Sequence, residues 1–172
     1  MITLDQLLAS RDARVEHQME LAEKFPRASL ICLTVMLPGP VKRDWRSLAI
    51  AHAGIDALHY SATHILFEEE RDLETGFEAY FVVDVPVLEA KRLCCQIEDS
   101  HPLGRLMDID VLRPPIGSGM TSPVSRTEIG LPERRCLLCD KPARECMRAH
   151  THSREELDEK INAMLEGLLI FD

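Results

Sequence analysis

The sequence predicts an α+β fold in which a mixed or antiparallel sheet, in β-α-β-β-α-β order, is flanked by an N-terminal and a C-terminal helix. Two patterns lead to this prediction. Short apolar runs with β-branched residues are typical of buried strands, and longer segments with apolar residues three or four positions apart indicate helices. Between residues 29 and 112 the two patterns alternate in the order given above.

The first helix is predicted over residues 3–25. Thr3 and Gln6 fit a capping box at its start, and Pro26 ends it. Ser10 could divide this helix into two pieces because a serine side chain competes for backbone hydrogen bonds.

Four strands and two helices are predicted in the middle of the chain. The strands cover residues 29–36, 64–70, 77–85 and about 105–112, and the helices cover residues 44–62 and about 86–99. The apolar face of the first of these helices contains Trp45, Leu48, His52, Ile55 and Leu58. The order is the split βαβ pattern of ferredoxin-like sheets, whose two helices pack on one face.

The rest of the chain is predicted to contain a loop, a candidate strand and a last helix. Residues 113–123 are rich in proline, glycine and serine, and they form either a mobile flap or a plain solvated loop. Residues 124–130 could add one more strand, and Ser153 with Glu156 caps a helix over residues 153–170. The chain length suits a single domain over residues 1–172.

Composition and charge argue against several classes of protein. Apolar residues make up 45% of the chain, which suits a folded core, and the net charge of −9 argues against a nucleic-acid partner. The N-terminus does not resemble a signal peptide, and the apolar stretch ASLICLTVMLPGP is too short to span a membrane. We therefore expect a cytoplasmic protein without a membrane partner, whose six cysteines are thiols or metal ligands.

The stretch HPLGRLMDIDVL places Asp108 and Asp110 on the last predicted strand of the sheet. Residues i and i+2 of a strand point to the same face, with Cα atoms about 7 Å apart. Two carboxylates in this position can bind Mg2+ or Mn2+, which prefer oxygen ligands and orient polyphosphates. A half-exposed strand that alternates acidic and apolar residues has the same pattern.

Four residues that precede this aspartate pair in the sequence are candidates for the same site. Gly104 permits close backbone approach, and Arg105 offers a fork of donors to a phosphate group. His101 could be a base or a phosphate donor, or it could have a structural role. Glu98, at the end of the preceding helix, is either a third carboxylate of the site or a solvated helix end.

A second motif is RRCLLCDKPARECMRAHTH, which contains Cys136, Cys139, Cys146, His150 and His152. A C-x2-C pair followed by a third cysteine and histidines is typical of a Cys3His zinc site. The alternative is a set of buried thiols on a short helical hairpin. The stretch is also basic, which suits a phosphorylated nucleotide, an acidic protein partner, or simple charge balance at the surface.

Several motifs taken together resemble one family. They are HPLGRLMDIDVL, the Ser125-Arg126 pair, LPERRCLLC with a third cysteine and a following histidine, LLASRDAR and PGPVK. Their combination resembles the apo-citrate lyase phosphoribosyl-dephospho-CoA transferases, also called holo-citrate lyase acyl carrier protein synthases. The resemblance extends over most of the chain and is least distinctive at about residues 60–90.

The resemblance implies the activity of a nucleotidyltransferase. It also makes a nucleotidyltransferase-like sheet the alternative to a ferredoxin-like one. Such an enzyme moves a phosphoribosyl-dephospho-CoA group from triphosphoribosyl-dephospho-CoA to a serine of the citrate lyase acyl carrier subunit and releases pyrophosphate. The residues 1–172 then form one transferase domain with a Cys/His-rich segment at about 134–152. The alternative to an enzyme is a zinc-stabilised module that binds an acidic carrier protein without catalysis.

The resemblance also implies roles for the candidate residues. Asp108 and Asp110 hold magnesium on the triphosphate, and Glu98 or His101 accepts the serine proton. Contacts with the substrate come from Gly104, Arg105, Arg126, Lys42 and Arg11. Zinc is held by Cys136, Cys139, Cys146 and His152 rather than His150.

Overall fold

The fold is that of a computed structural model, which describes residues 2–62, 64–115 and 120–169, with side chains described to residue 167. The chain forms two compact units, Met1–Val124 and Ser125–Asp172. The second unit contains the Cys/His-rich segment. That the two units act as a single domain stays a prediction.

An antiparallel sheet of five strands forms the centre of the first unit. Its order is β2-β3-β1-β4-β5, and every neighbouring pair is antiparallel. The strands are β1 (Ser29–Val35), β2 (Ile65–Leu73), β3 (Gly76–Val83), β4 (Met107–Arg113) and the short β5 (Ser122–Pro123). The first four strands have the ferredoxin-like arrangement, which confirms the predicted α+β class and element order.

Three helices cover the two faces of this sheet: α1 (Leu4–Lys24), α2 (Trp45–Ser61) and α3 (Val87–Ser100). On one face, α2 approaches β1 so closely that a Cβ added at Gly54 would lie 2.9 Å from Leu33 Cδ2. On the other face, Leu21 of α1 packs with Cys32 and Tyr80. Neighbouring residues of a strand point to opposite faces, so Leu33 and Cys32 place α2 and α1 on opposite sides of the sheet.

Several predicted details of the first unit differ from the structure. Helix α1 continues through Ser10, because its Oγ hydrogen-bonds Thr75 Oγ1 at 2.7 Å instead of the helix backbone. Trp45 was expected in the core but is 63% exposed, because it is the first residue of α2 after the N-cap. Strand β4 begins at Met107 because residues 104–106 form a 3-10 turn. Residues 116–119 of the predicted flap lie outside the described residues.

The second unit contains two helices, α4 (Ala143–Ala149) and α5 (Arg154–Leu169). The strand predicted over residues 124–130 is wrong. Ser125 and Glu128 exchange hydrogen bonds between side chain and backbone, and this local cap begins a 3-10 turn at Thr127–Ile129. The predicted cap of α5 by Ser153 and Glu156 is confirmed. In the described residues of both units, no helix has the length and apolar character needed to cross a membrane.

Candidate functional site

The paired aspartates lie on one face of β4. Met107, Ile109 and Val111 are completely buried on the opposite face, whereas Asp108 is half-buried and Asp110 is exposed. Asp108 lies opposite Thr34, and Asp110 lies opposite Cys32 on β1. The predicted same-face arrangement is therefore confirmed, and the role of the pair in binding metal stays a prediction.

A buried ion pair occupies the same face of the sheet two strands away. Glu78 lies opposite Thr34, which itself lies opposite Asp108, so Glu78 and Asp108 are about 10 Å apart at the usual strand spacing. Glu78 is 2% exposed and accepts hydrogen bonds from Arg14 Nε, at 2.7 Å, and from the Tyr80 hydroxyl. Burial opposes the charge of Arg14, but the carboxylate of Glu78 outweighs it and raises the pKa of Arg14.

Glu98 lies under the aspartate pair rather than beside it in an open cleft. Its side chain is 4% exposed, and its Oε1 accepts a hydrogen bond of 3.0 Å from the N–H of Ile109, the residue between the two aspartates. A carboxylate in this position supports the strand that carries the pair. The alternative of a solvated helix end is wrong because the side chain is buried, and the predicted role of Glu98 as a third carboxylate or as the base stays a prediction.

His101 is held in one tautomer at the end of α3. Its Nδ1 accepts a hydrogen bond of 3.0 Å from the N–H of Leu103, so the neutral ring carries its proton on Nε2. Burial lowers the pKa of His101, which keeps the ring neutral at neutral pH. In this state Nε2 is a donor suited to a phosphate oxygen.

Gly104 is needed for contact between a turn and a helix. A Cβ at this position would lie 2.6 Å from the carbonyl oxygen of Glu98, and it would also collide with that of Ile97. The close backbone approach expected at Gly104 is therefore made by the last turn of α3.

Three candidate phosphate-binding cations lie on segments that meet at one end of the sheet. Arg105 is in the 3-10 turn before β4, and the N–H of Met36 donates to Leu106 O of the same turn at 2.9 Å. Lys42 follows β1, and its Nζ donates to Leu37 O at 2.6 Å. Arg11 follows Ser10, which contacts the turn between β2 and β3 at the same end. The fourth candidate, Arg126, belongs to the second unit, where its Nε donates to Pro132 O at 3.2 Å.

The second unit contains a compact cluster of metal-binding atoms. One ligand atom from each of Cys136, Cys139, Cys146 and His152 lies within 4.8 Å of the others. Cys139 Sγ is 3.5 Å from Cys146 Sγ and 3.4 Å from His152 Nε2. A tetrahedral zinc ion with Zn–S bonds of about 2.3 Å has edges of about 3.8 Å, so the cluster fits such an ion. His150 lies outside the cluster and is exposed.

The local backbone explains how these side chains converge. Cys136 and Cys139 lie in a turn closed by hydrogen bonds from Cys136 N–H to Lys141 O and from Ala143 N–H to Arg134 O. Burial opposes ionisation of Cys136, but the N–H groups of Leu138 and Cys139 hydrogen-bond its sulfur and lower its pKa to about 7. Burial and the neighbouring thiols raise the pKa of Cys146 to about 11. None of the six cysteines, which all lie in the described part of the chain, is in a disulfide.

Two residues with clear contacts near the aspartate pair were missed by the sequence analysis. Arg14 lies one turn after Arg11 on α1, and Lys91 lies seven residues before Glu98 on α3. A charged residue at helical spacing on an apolar face is the signal that could have identified Lys91.

These features define the class of protein: a small α+β protein with paired acids on one face of a half-buried strand and a Cys3His cluster able to hold a metal. The family model described as apo-citrate lyase phosphoribosyl-dephospho-CoA transferase matches residues 2–167. The chain belongs to this family, which confirms the resemblance seen in the sequence.

Relatives from two genera cover nearly the whole chain. A protein named "Probable apo-citrate lyase phosphoribosyl-dephospho-CoA transferase" from Streptococcus pyogenes serotype M18 is 34% identical over 168 residues, which are 96% of this chain and 86% of the relative. A protein named "Apo-citrate lyase phosphoribosyl-dephospho-CoA transferase" from Escherichia coli O1:K1 is 34% identical over 171 residues, which are 97% of this chain and 90% of the relative. A family of named transferases does not favour the non-enzymatic binding module.

Proposed function

We propose that this protein transfers a phosphoribosyl-dephospho-CoA group from triphosphoribosyl-dephospho-CoA to a serine of the citrate lyase acyl carrier subunit. The match to the transferase family over residues 2–167 carries this proposal. In the transfer, the serine oxygen bonds to the α-phosphorus as the bond from that phosphorus to the pyrophosphate breaks. The serine loses its proton, and pyrophosphate leaves. The reaction is then of the nucleotidyltransferase type.

The paired aspartates are suited to hold Mg2+ or Mn2+ in this reaction. Asp108 and Asp110 project from one face of β4 and reach solvent to different degrees, and their oxygens are the hard ligands that these ions prefer. A divalent ion bound there would neutralise charge on the triphosphate and on the departing pyrophosphate. The buried face of β4 keeps the two carboxylates at a fixed spacing.

The basic residues at the same end of the sheet are suited to hold the triphosphate. Arg105 presents a planar fork of donors, and Lys42 and Arg11 add positive charge. The Nε2–H of His101 can donate to a phosphate oxygen, which suits its tautomer better than the predicted role of base. Groups that hold the triphosphate in line with the serine oxygen and neutralise its charge lower the barrier to attack at the α-phosphorus.

The Cys3His cluster is suited to zinc. Three thiols and one imidazole supply the soft and borderline ligands that zinc prefers, at distances that fit a tetrahedron. Four protein ligands leave no open position for a substrate, so the ion would have a structural role. Free thiols also suit the reducing cytoplasm, where we place this enzyme.

Mass spectrometry of the carrier subunit tests the proposed reaction. The protein is incubated with Mg2+, triphosphoribosyl-dephospho-CoA and the apo carrier subunit, and the carrier is then weighed. We expect a mass increase equal to one phosphoribosyl-dephospho-CoA group, absent when the carrier serine is replaced by alanine. A carrier that binds the protein but gains no mass would instead support the binding module.

A further inference from the structure

The backbone of Ile109 is held by two buried charged side chains of α3. Glu98 Oε1 accepts a hydrogen bond of 3.0 Å from its N–H, and Lys91 Nζ donates one of 3.3 Å to its C=O. Glu98 is 4% exposed and Lys91 is 5% exposed. Ile109 separates Asp108 from Asp110, so both hydrogen bonds act on the short segment that carries the aspartate pair.

These hydrogen bonds occur where β4 has a strand on one side only. In the described residues, β5 pairs with β4 only at Leu112 and Arg113, beyond the aspartates. Successive residues of a strand direct their backbone groups to alternate sides. Ile109 therefore presents its N–H and C=O to the uncovered side, and Lys91 and Glu98 take the place of a neighbouring strand there.

Buried charged side chains are unusual hydrogen-bond partners for the backbone N–H and C=O groups at a strand edge. Lysine and glutamate are rarely buried unless they have partners, because removal of a charge from water is costly. Lys91 and Glu98 are seven residues apart on α3, so they lie on the same side of the helix two turns apart. Hydrogen bonds to charged groups are stronger than neutral ones, so this pair restrains Ile109 more firmly than neutral side chains would.

Gly104 completes the contact between α3 and β4. Its lack of a side chain allows the turn at residues 104–106 to lie against the backbone of Ile97 and Glu98. The turn leads directly into β4, so the same helix end fixes both the start of the strand and the backbone between the aspartates.

We infer that Lys91 and Glu98 are positioning residues that set the spacing and direction of Asp108 and Asp110 for the divalent ion. This inference rests on the proposed function, because it assigns Glu98 to the support of the metal site instead of to proton transfer. The two roles differ in what they require of Glu98. Support requires a hydrogen-bond acceptor, whereas a base requires a carboxylate.

Two substitutions of Glu98 separate these roles. Glu98→Gln keeps an acceptor for the Ile109 N–H but cannot take a proton, and Glu98→Ala removes the acceptor. We expect Glu98→Ala to raise the half-saturating Mg2+ concentration for transfer by about tenfold or more, as the loss of a residue that orients metal ligands usually does. We expect Glu98→Gln to change it by less than about threefold. Lys91→Met, which removes the second hydrogen bond, should resemble Glu98→Ala.

Activity is measured per folded protein, from circular dichroism, with Glu89→Gln on the exposed side of α3 as the matched control. Exchange of the Ile109 amide is followed by NMR in the same variants without substrate. We expect it to be faster in Glu98→Ala and slow in Glu98→Gln. The inference is overturned if Glu98→Gln is as inactive as Glu98→Ala, or if Glu98→Ala leaves both the Mg2+ requirement and the exchange unchanged. Failure of wild-type protein to modify the carrier would instead overturn the proposed function. The amide exchange is measured without substrate, so the two failures can be told apart.

Discussion

Glu78 is a single residue that attaches helix α1 to the face of the sheet that carries the aspartates. Its carboxylate is buried, and Arg14 and the Tyr80 hydroxyl supply its hydrogen bonds. Burial and this hydrogen bond raise the pKa of Tyr80, so the hydroxyl keeps its proton and remains a donor. Removal of one partner from such a buried group is strongly destabilising. The ion pair between Arg14 and Glu78 therefore holds α1 against β3, and it also fixes Arg11, which lies one turn before Arg14.

His101 should make stability depend on pH on the acidic side of neutrality. Burial lowers its pKa in the folded protein, whereas the unfolded chain takes up a proton near pH 6.5, the ordinary value. Above about pH 6.5 the ring is neutral in both states, so His101 does not lower the free energy of unfolding. As the pH falls from there towards the lowered pKa, the unfolded chain binds the proton more readily and the folded state loses stability. We expect His101→Asn to lose less stability than wild type between pH 7.5 and 5.5, because asparagine does not titrate.

Urea unfolding at these two pH values measures the effect. The asparagine side chain in His101→Asn would still accept the hydrogen bond from Leu103 but cannot titrate, so the comparison isolates the proton. His150→Asn, on an exposed residue in left-handed conformation that asparagine tolerates, is the control. An equal acid-induced loss in His101→Asn and wild type would contradict the pKa direction assigned here.

Individual elements differ in how they are stabilised. The sheet of the first unit has many buried apolar side chains from both of its faces. In residues 125–167, where the second unit has described side chains, the buried apolar residues are Cys146, Ile161 and Leu165. Small units with little core usually need a metal or disulfides to stay folded. The Cys3His cluster joins the turn at 136–141, α4 and the segment just before α5, and thus supplies such a link.

Removal of one ligand should therefore loosen the second unit. We expect His152→Ala to lower zinc affinity by at least about tenfold, and chelation of the metal to speed amide exchange over residues 134–152. The neighbouring His150→Asn should leave both unchanged because His150 lies outside the cluster. Competition with a chromophoric chelator measures affinity, and mass spectrometry measures exchange. Equal zinc binding by the two variants would contradict the ligand set.

For the whole molecule, the sequence predicted features that depend on local periodicity. The alternation of acidic and apolar residues in β4 predicted that Asp108 and Asp110 share a face. The C-x2-C spacing predicted a cluster of cysteines with one histidine, and the family resemblance implied that this histidine is His152. The β-α-β-β-α-β order was visible for the same reason, since strands and helices have different apolar periods.

Features that depend on contacts between distant segments were not predictable. Lys91 stands at the spacing of the buried face of α3, but only its contact with Ile109, from another element, shows what its ammonium group binds there. The role of Gly104 depends in the same way on how the following turn meets α3. The incorrect strand at 124–130 reflects a local cap between Ser125 and Glu128 that overrides strand propensity.

The most direct test of the account is the Mg2+ dependence of transfer in aspartate variants. Rates of carrier modification are measured against Mg2+ concentration for wild type, Asp108→Asn, Asp110→Asn and the control Asp56→Asn, an exposed residue of α2. We expect Asp108→Asn and Asp110→Asn each to lower the maximal rate by about a hundredfold or more and to raise the Mg2+ requirement, because each removes an anionic ligand. Asp56→Asn should match wild type. Wild-type rates and wild-type Mg2+ dependence in both site variants would show that the aspartates do not bind the ion.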